Sequence, residues 1–229
     1  MKAPKHIAII MDGNRRWSKA HQLPVWEGHR RALQGGIKKI VLAARELGVE
    51  HLTLFAWSTE NWQRSPREIK FIFDFFCQIF AQEFQELLKK NVRVQIFGDI
   101  RPFPKKMRGL LEKAVRESQN NTGLTLNICL NYGGRAEIID AIKKIIKDGK
   151  KPKDITEKLV GSYIYGGLDT PDPELIIRTS GEKRLSGFLT WRSVYSELFF
   201  LPKAWPDFKP ADLKAVIKSF QQRERRFGK

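Results

Sequence analysis

The chain has 229 residues, of which 41% are hydrophobic and 29% are charged. This composition excludes disorder along the whole chain and suits one globular domain spanning residues 1–229. Lys and Arg number 42 against 25 Asp and Glu, so the net charge of +17 favours anionic partners such as nucleic acid, acidic membranes or phosphorylated molecules.

Apolar runs rich in β-branched residues alternate with amphipathic stretches along the chain. The runs predict strands at 6–11, 51–57, 91–97, 123–130 and 175–178. Helices are predicted at 29–47, 66–90, 104–118, 135–147 and 209–226. Because helices separate most successive strands, we predict an α/β fold with a central, mostly parallel sheet flanked by helices.

The two cysteines, Cys77 and Cys129, lie in apolar runs and are predicted to be buried thiols. Their number excludes a disulfide framework, and no ligand set for structural zinc accompanies them.

No signal peptide is apparent, so the cytoplasm is the predicted compartment. The longest apolar stretch, residues 71–81, is too short to span a bilayer, so any membrane association is predicted to be peripheral.

Polar segments rich in glycine and arginine follow the predicted strands where those strands end. They comprise residues 12–17, 58–64, 131–135 and 178–184. Ligands of parallel α/β sheets bind beyond the carboxyl ends of the strands, so these segments are expected to meet in one site. This convergence is the strongest functional signal that the residues themselves carry.

The residue types in these segments suit a phosphorylated ligand. One guanidinium group can bind two phosphate oxygens at once, and Gly13 lets backbone N–H groups approach phosphate closely. Asp12 is a carboxylate among arginines, which is suited to hold Mg²⁺ bridged to a diphosphate. The arginines concerned are Arg15, Arg16, Arg64, Arg178 and Arg184.

Each of these features also has an ordinary structural interpretation. The sequence Asp-Gly-Asn, here at residues 12–14, forms a simple turn in many proteins. A histidine such as His29 is more often structural than catalytic. Trp17 and Trp62 are more often packing residues, and residues 223–226 are typical of a solvated helix face. Only their joint arrival at one edge of a sheet favours the functional interpretation.

Several blocks of the sequence resemble the cis-prenyltransferases, the undecaprenyl diphosphate synthase family. They are HIAIIMDGNRRW at 6–17, LTLFAWSTENW at 52–62, NICLNYGGR at 127–135, IRTSGEKRLS at 177–186, WPDF at 205–208 and RERRFG at 223–228. The resemblance implies an undecaprenyl diphosphate synthase-like fold, a homodimer, and Mg²⁺-dependent addition of isopentenyl diphosphate to an allylic diphosphate with a new cis double bond.

The resemblance also implies a role for individual residues. Asp12 and Glu197 are implied for Mg²⁺, and Asp12, His29, Ser58 and Asn61 for catalysis. The implied substrate-binding residues are Gly13, Asn14, Arg15, Arg16, Trp17, Trp62, Arg64, Arg178, Arg184, Ser186, Arg226 and Gly228. The last two belong to a carboxyl-terminal R-x-G element that is implied to reach a partner subunit.

A few positions depart from the pattern of the family. Val25 stands where many bacterial members have arginine, and Arg15, where many have glycine, is expected to compensate for the missing phosphate contact. Gly187 replaces the usual asparagine and Trp57 a common phenylalanine. Thr190 and Arg192 replace the usual leucine and glutamine.

These departures leave two alternatives open. One is irregular coupling of two allylic diphosphates on the same fold, and the other is a non-catalytic basic subunit that binds nucleic acid or a membrane. No Walker-type, zinc-finger or RNP pattern occurs, so no nucleic-acid partner is expected. Phenylalanines on the helix at 66–90 predict a narrowed tunnel and a product no longer than a typical undecaprenyl chain.

Overall fold

The computed structural model describes residues 3–223, and a six-stranded sheet lies at its centre. The strands are β1 (His6–Ile10), β2 (His51–Ser58), β3 (Arg93–Phe97), β4 (Thr125–Tyr132), β5 (Leu175–Arg178) and β6 (Glu197–Phe200). Their order is β3-β4-β2-β1-β5-β6, and every neighbouring pair is parallel. The predicted central parallel sheet is therefore confirmed, and β6 is an addition to it.

Helices connect the strands and cover both faces of the sheet. They are α1 (Asn14–Ala20), α2 (Val25–Leu33), α3 (Gly36–Glu46), α4 (Pro66–Lys89), α5 (Lys105–Ser118), α6 (Gly134–Lys147), α7 (Glu157–Tyr163) and α8 (Pro210–Gln221). The single helix predicted at 29–47 is wrong, because Gly35 adopts a φ of 73° and separates α2 from α3. No described helix has the length and apolar character needed to span a membrane.

The central strands are apolar throughout because helices bury both of their faces. Ile7 and Ile9 of β1 belong to the larger core, which α3, α4, α5 and α8 also supply. Ala8 and Ile10 point to the opposite face and join a smaller core with Cys129. Cys77 and Cys129 are both buried free thiols, as predicted.

The order of the strands determines where a ligand can reach the sheet. The chain passes from β1 to β2 on one side and much later returns to β5 on the other side of β1. The connection that follows β1 and the connection that follows β5, which runs on to β6, therefore leave the carboxyl ends of these two neighbouring strands in opposite directions. A crevice opens at such a point, and in α/β sheets it is the usual binding place.

Helix α4 is the longest helix, with 24 residues, and forms one wall above this crevice. It begins with Ser65 as its N-cap, whose hydroxyl accepts the N–H of Glu68, and with Pro66 at its first position. Ile72, Phe73, Phe84 and other residues on one side are buried against the larger core.

Candidate functional site

Asp12 lies just beyond β1 and binds two arginines. Its Oδ2 accepts hydrogen bonds from Arg178 and from Arg16, each at 2.9 Å. Arg178 is the last residue of β5 and is 5% exposed, and it also donates to the hydroxyl of Ser186 at 2.9 Å. The parallel pairing of β1 with β5 thus brings the predicted carboxylate and two predicted arginines together.

The charged form of Asp12 is stabilised by this arrangement. Burial by itself raises the pKa of the carboxyl, but hydrogen bonds and charge from Arg178 and Arg16 outweigh it and hold the pKa below its ordinary value. The hydroxyl of Thr179 accepts the N–H of Asp12 at 3.0 Å and donates to its carbonyl at 2.7 Å. Asp12 is therefore ionised at neutral pH and fixed in place.

The backbone around the site is held in unusual conformations. Gly13 has a φ of 106°, and a Cβ there would lie 2.7 Å from the Cβ of Ser180, so only glycine fits. In the segment between β5 and β6, Ser180, Ser186 and Leu189 have φ values of 75°, 51° and 46°. Such conformations cost free energy and cluster at functional sites.

His29 stands at the same crevice, in α2, and is neutral. Burial foremost, and then the charges of Arg64 and Arg15, lower the pKa of His29 to about 3. The guanidinium of Arg64 lies 3.2 Å from Nε2 and can only donate, so Nε2 accepts and Nδ1 carries the hydrogen. The amide of Asn14, 3.3 Å from Nδ1, supplies the acceptor when its oxygen faces the ring.

Glu68 is a buried carboxylate that the sequence did not single out. Its Oε1 accepts from Arg64 at 3.2 Å and lies 3.7 Å from Nε2 of His29 and 3.9 Å from Nε of Arg15. A Glu four residues after Arg64, at the start of a helix, could have indicated the ion pair, but not its burial. Glu68 holds the cations of this side of the crevice together.

The end of β2 supplies Ser58, and the segment after it supplies Asn61 and Trp62. Oδ1 of Asn61 accepts the N–H of Ser58 at 3.0 Å, which closes a 3₁₀ turn over Thr59–Gln63. Ser58 and Asn61 line the crevice, whereas the indole of Trp62 packs among aromatic rings and donates to Oδ1 of Asn131 at 2.8 Å. The prediction that Trp62 touches substrate therefore depends on movement of this segment.

A cavity of about 270 Å³ leads from these polar groups into the core. Its mouth is lined by Asp12, Asn14, His29, Ser58, Asn61, Arg64, Arg178 and Ser186. Its interior is lined mainly by apolar side chains, and those of α4 run from Ile72 to Leu87, a distance of about 22 Å along the helix axis. The cavity thus has a charged end and a long apolar end.

Cations outnumber carboxylates around the mouth. Within the part of the chain that the structure describes, the ion pairs there join five guanidinium groups to three carboxylates. The guanidinium groups belong to Arg15, Arg16, Arg64, Arg178 and Arg184, and the carboxylates to Asp12, Glu68 and Glu182. The excess positive charge favours an anion with several negative charges.

Some of the predicted site residues do not lie at the mouth of the cavity. Trp17 is a buried residue of α1, its indole N–H donates to Asp207 at 2.8 Å, and it does not line the cavity. Glu197 begins β6 in register with Leu175, three residues or about 10 Å before the carboxyl end of β5, and it pairs with Arg223. One chain therefore does not bring Glu197 to Asp12. Arg226 and Gly228 lie outside the described residues.

Two departures from the family pattern have a structural explanation. Gly187 has a φ of 75°, a conformation that glycine and asparagine adopt more readily than other residues, so the replacement preserves the backbone. Its carbonyl accepts the N–H of Gly134 at 2.8 Å. Arg192 is buried and donates to the carbonyl groups of Thr170, Tyr165 and Gly167, so it fastens a loop far from Asp12.

A family model described as "Putative undecaprenyl diphosphate synthase" matches residues 10–228. The chain belongs to the undecaprenyl diphosphate synthase family. As a member of this family it is a prenyltransferase, which confirms the predicted family and enzyme class.

Other members of the undecaprenyl diphosphate synthase family are similar to this chain along nearly their whole length. An "Isoprenyl transferase" of Streptococcus agalactiae (serotype III, strain NEM316) is 46% identical and covers 99% of this chain and 93% of its own. One of Thermotoga maritima is also 46% identical and covers 100% and 98%.

Two solved structures have the same fold. Lavandulyl diphosphate synthase from Lavandula x intermedia, solved with dimethylallyl diphosphate, gives a TM-score of 0.94 at 33% identity and covers 99% of both chains. A probable undecaprenyl diphosphate synthase from Campylobacter jejuni gives 0.83 at 31% identity and covers 100% of both. The predicted fold class is therefore confirmed.

Proposed function

We propose that this protein elongates an allylic diphosphate with isopentenyl diphosphate and forms a cis double bond at each addition. One observation carries the proposal: an apolar cavity opens onto a cluster of arginines at the carboxyl edge of the sheet. A prenyl diphosphate has the same two parts, a hydrocarbon tail and a strongly anionic head. The polarity of cavity and substrate therefore agrees from one end to the other.

The mouth offers a place for a diphosphate on each side of Asp12. Arg178 and Ser186 lie on the β5 side, and we assign isopentenyl diphosphate to them. His29 and Arg64 lie on the other side, next to the apolar cavity, and we assign the allylic diphosphate to them. This assignment places the allylic tail in the cavity and its reacting carbon between the two sites.

The chain's own groups supply most of the chemistry. As the allylic C–O bond breaks, guanidinium groups stabilise the charge that develops on the leaving diphosphate. The double bond of isopentenyl diphosphate forms the new C–C bond, and a proton is then lost. Nε2 of His29 accepts from Arg64 and Nδ1 carries hydrogen, so His29 has no free lone pair. This favours the released diphosphate over His29 as the proton acceptor.

The residues present fit Mg²⁺ only together with a substrate. Asp12 is an ionised carboxylate at the mouth, but residues 3–223 contain no cluster of three side chains that suits a metal. Mg²⁺ is commonly held by one or two carboxylates, with phosphate oxygens and water completing the shell. When bound, the ion offsets negative charge on the diphosphate. Arg178 holds the carboxylate of Asp12, and Thr179 holds its backbone.

The protein is proposed to act as a homodimer. Ile139, Ile142 and Ile146 of α6 are 53%, 46% and 69% exposed and form one stripe along the helix, and Tyr195 is 73% exposed. A second copy would cover such a face, and it would place Glu197, two residues after Tyr195, near the interface. Ile142→Lys should turn the dimer into a monomer in sedimentation velocity; an unchanged dimer would exclude this face.

The proposed compartment is the cytoplasm, with peripheral contact to membranes. The net charge of +17 attracts anionic lipid, and the proposed product is apolar over most of its length. Flotation with vesicles that contain phosphatidylglycerol tests this contact. Binding that persists equally on neutral vesicles would rule out attraction by charge.

The proposal is tested by a product assay. Isopentenyl diphosphate is offered with dimethylallyl, geranyl, farnesyl or geranylgeranyl diphosphate and Mg²⁺, and products are measured by mass. We expect products that require isopentenyl diphosphate and disappear with EDTA. Products from allylic diphosphates alone would indicate irregular coupling, and no product in any mixture would indicate a non-catalytic subunit.

A further inference from the structure

One carboxylate interrupts the apolar interior of the cavity. Glu83 lines it from α4, between Ile79 and Leu87, about three helical turns beyond Ile72. The other polar side chains of the cavity belong to the mouth. A carboxyl group among hydrocarbon costs free energy unless it has a hydrogen-bond partner, so its partner reveals what it does.

The partner of Glu83 is the backbone of Gly35. The N–H of Gly35 donates to Oε1 of Glu83 at 2.7 Å. Gly35 is the residue at which α2 gives way to α3, and as the N-cap of α3 it has no side chain of its own to cap the helix. Without Glu83, this half-buried backbone N–H would lose its hydrogen-bond partner at a point flanked by Leu33 and Ile37, which line the cavity.

Few side chains lie beside Gly35 on the side where a Cβ would point. A Cβ added to Gly35 would meet only the carboxylate of Glu83 and the end of Lys39 within 4 Å, both at the edge of contact. Leu33 before the junction and Ile37 after it both line the cavity. Glu83 therefore joins α4 to the junction on the side of the cavity, whereas the pair of Glu86 with Lys38 joins α4 to α3 on the outside.

We propose that Glu83 is a product-length determinant that closes the cavity wall where α2 meets α3. The inference rests on the proposed chain elongation. While the bond to Gly35 holds the junction against α4, the growing tail is confined by the ring of Phe84 and by Leu87 at the deep end. When the bond is lost, the tail passes out between α3 and α4, and further additions follow.

The chain offers a matched control on the same helix. Glu86 is exposed, pairs with Lys38 on the outside at 2.9 Å and does not line the cavity. Glu83→Ala removes the acceptor, and Glu83→Gln keeps an acceptor oxygen at the same place. Glu86→Ala removes a carboxylate and an ion pair from α4 without opening the wall.

The experiment measures the chain-length distribution of products from full-length wild type and the three variants, with isopentenyl diphosphate in excess. We expect Glu83→Ala to shift the distribution to longer products by one or more five-carbon units, with Glu83→Gln and Glu86→Ala close to wild type. Unchanged or shorter products from Glu83→Ala, or an equal shift in Glu86→Ala, would overturn the inference.

Hydrogen–deuterium exchange of the Gly35 amide gives a readout without turnover. Glu83→Ala should lose protection at Gly35 while Glu86→Ala keeps it, and equal protection in both would overturn the role of the bond. Absence of any product from the wild type would instead overturn the proposed function and this inference together. The two failures are therefore distinguishable.

Discussion

At the scale of single residues, the site keeps several cations close together before any anion is bound. Asp12 holds Arg16 and Arg178, and Glu68 holds Arg64 at 3.2 Å and lies 3.9 Å from Arg15. Each carboxylate neutralises part of the positive charge of the arginines, and a bound diphosphate would otherwise do so. In the proposed site, a diphosphate would compete with these carboxylates for the same guanidinium groups, so the two carboxylates set how strongly the site attracts it.

Asp12→Asn is expected to abolish most of the turnover. The amide keeps the size of the side chain but loses the charge that orients Arg178 and that we propose to hold Mg²⁺, so kcat should fall by about 10²-fold or more. Steady-state kinetics with a titration of Mg²⁺ measures this. Glu182→Gln is the control, since Glu182 contacts Arg16 and Arg184 at the exposed rim. Near-normal, Mg²⁺-dependent turnover in Asp12→Asn would contradict the assigned role.

Glu68→Gln is expected to lower both KM and kcat. Loss of a buried negative charge next to Arg64 and His29 makes this side of the mouth more positive, so a diphosphate binds more tightly and leaves more slowly. We expect KM for the allylic diphosphate to fall up to about tenfold, equivalent to about 1.4 kcal/mol, together with kcat. Glu60→Gln, at an exposed position, should change neither; a raised KM in Glu68→Gln would instead indicate a structural role.

At the scale of elements, strands were predictable where burial on both faces made the sequence continuously apolar. β1 and β5 are of this kind, and all of their residues are buried. β6 escaped prediction because Glu197–Phe200 is a short edge strand whose residues are only partly buried. The break at Gly35 escaped because apolar spacing continues across it from α2 into α3.

The site was predictable to the extent that it follows strand ends. Asp12 and Arg178 meet because their strands are neighbours and parallel. The alternation of helix and strand implied the parallel direction, but not that β1 and β5 are neighbours. Glu68 and Glu83 could not be found in this way. A glutamate on a helix has the same local pattern whether it faces solvent or a cavity, and only packing decides between them.

Phe76→Ala is expected to lengthen the product. Phe76 lines the cavity and stacks on Phe80 with ring centroids 4.9 Å apart, so truncation opens volume along the path of the tail. Phe75→Ala is the control, because Phe75 stacks on Phe71 and does not line the cavity. Product mass after elongation measures the effect. An identical distribution from Phe76→Ala and wild type would show that this ring does not limit the tail.

At the scale of the whole molecule, two buried histidines stabilise the fold only while they are neutral. His6 donates from Nδ1 to the carbonyl of Pro171 at 2.6 Å, and its Nε2 accepts from the hydroxyl of Thr53 at 2.7 Å. Burial is the main cause that lowers the pKa of His6, as of His29, to about 3. Neither ring has a lone pair left for a proton, so protonation must break these bonds.

The free energy of unfolding should therefore fall as the pH is lowered from 7 to 5. The unfolded histidines take up protons near pH 6.5, whereas the folded ones do so only near pH 3, so the unfolded state binds more protons in this window. The stabilisation is complete above pH 6.5 and is lost on the way down to pH 3. Each histidine should account for about 2 kcal/mol between pH 7 and pH 5.

Urea unfolding of wild type and His6→Gln at pH 7, 6 and 5 isolates the contribution of His6. Glu83 and Glu137, whose pKa values are raised by burial, and His51, whose pKa burial lowers, also titrate, but they are common to both proteins and cancel in the difference. We expect the variant to be less stable at pH 7 and to lose less stability toward pH 5. His21→Gln, which removes a histidine at an exposed position, is the comparison variant. Parallel pH slopes for wild type and His6→Gln would mean that the neutral ring of His6 is not what acid destabilises.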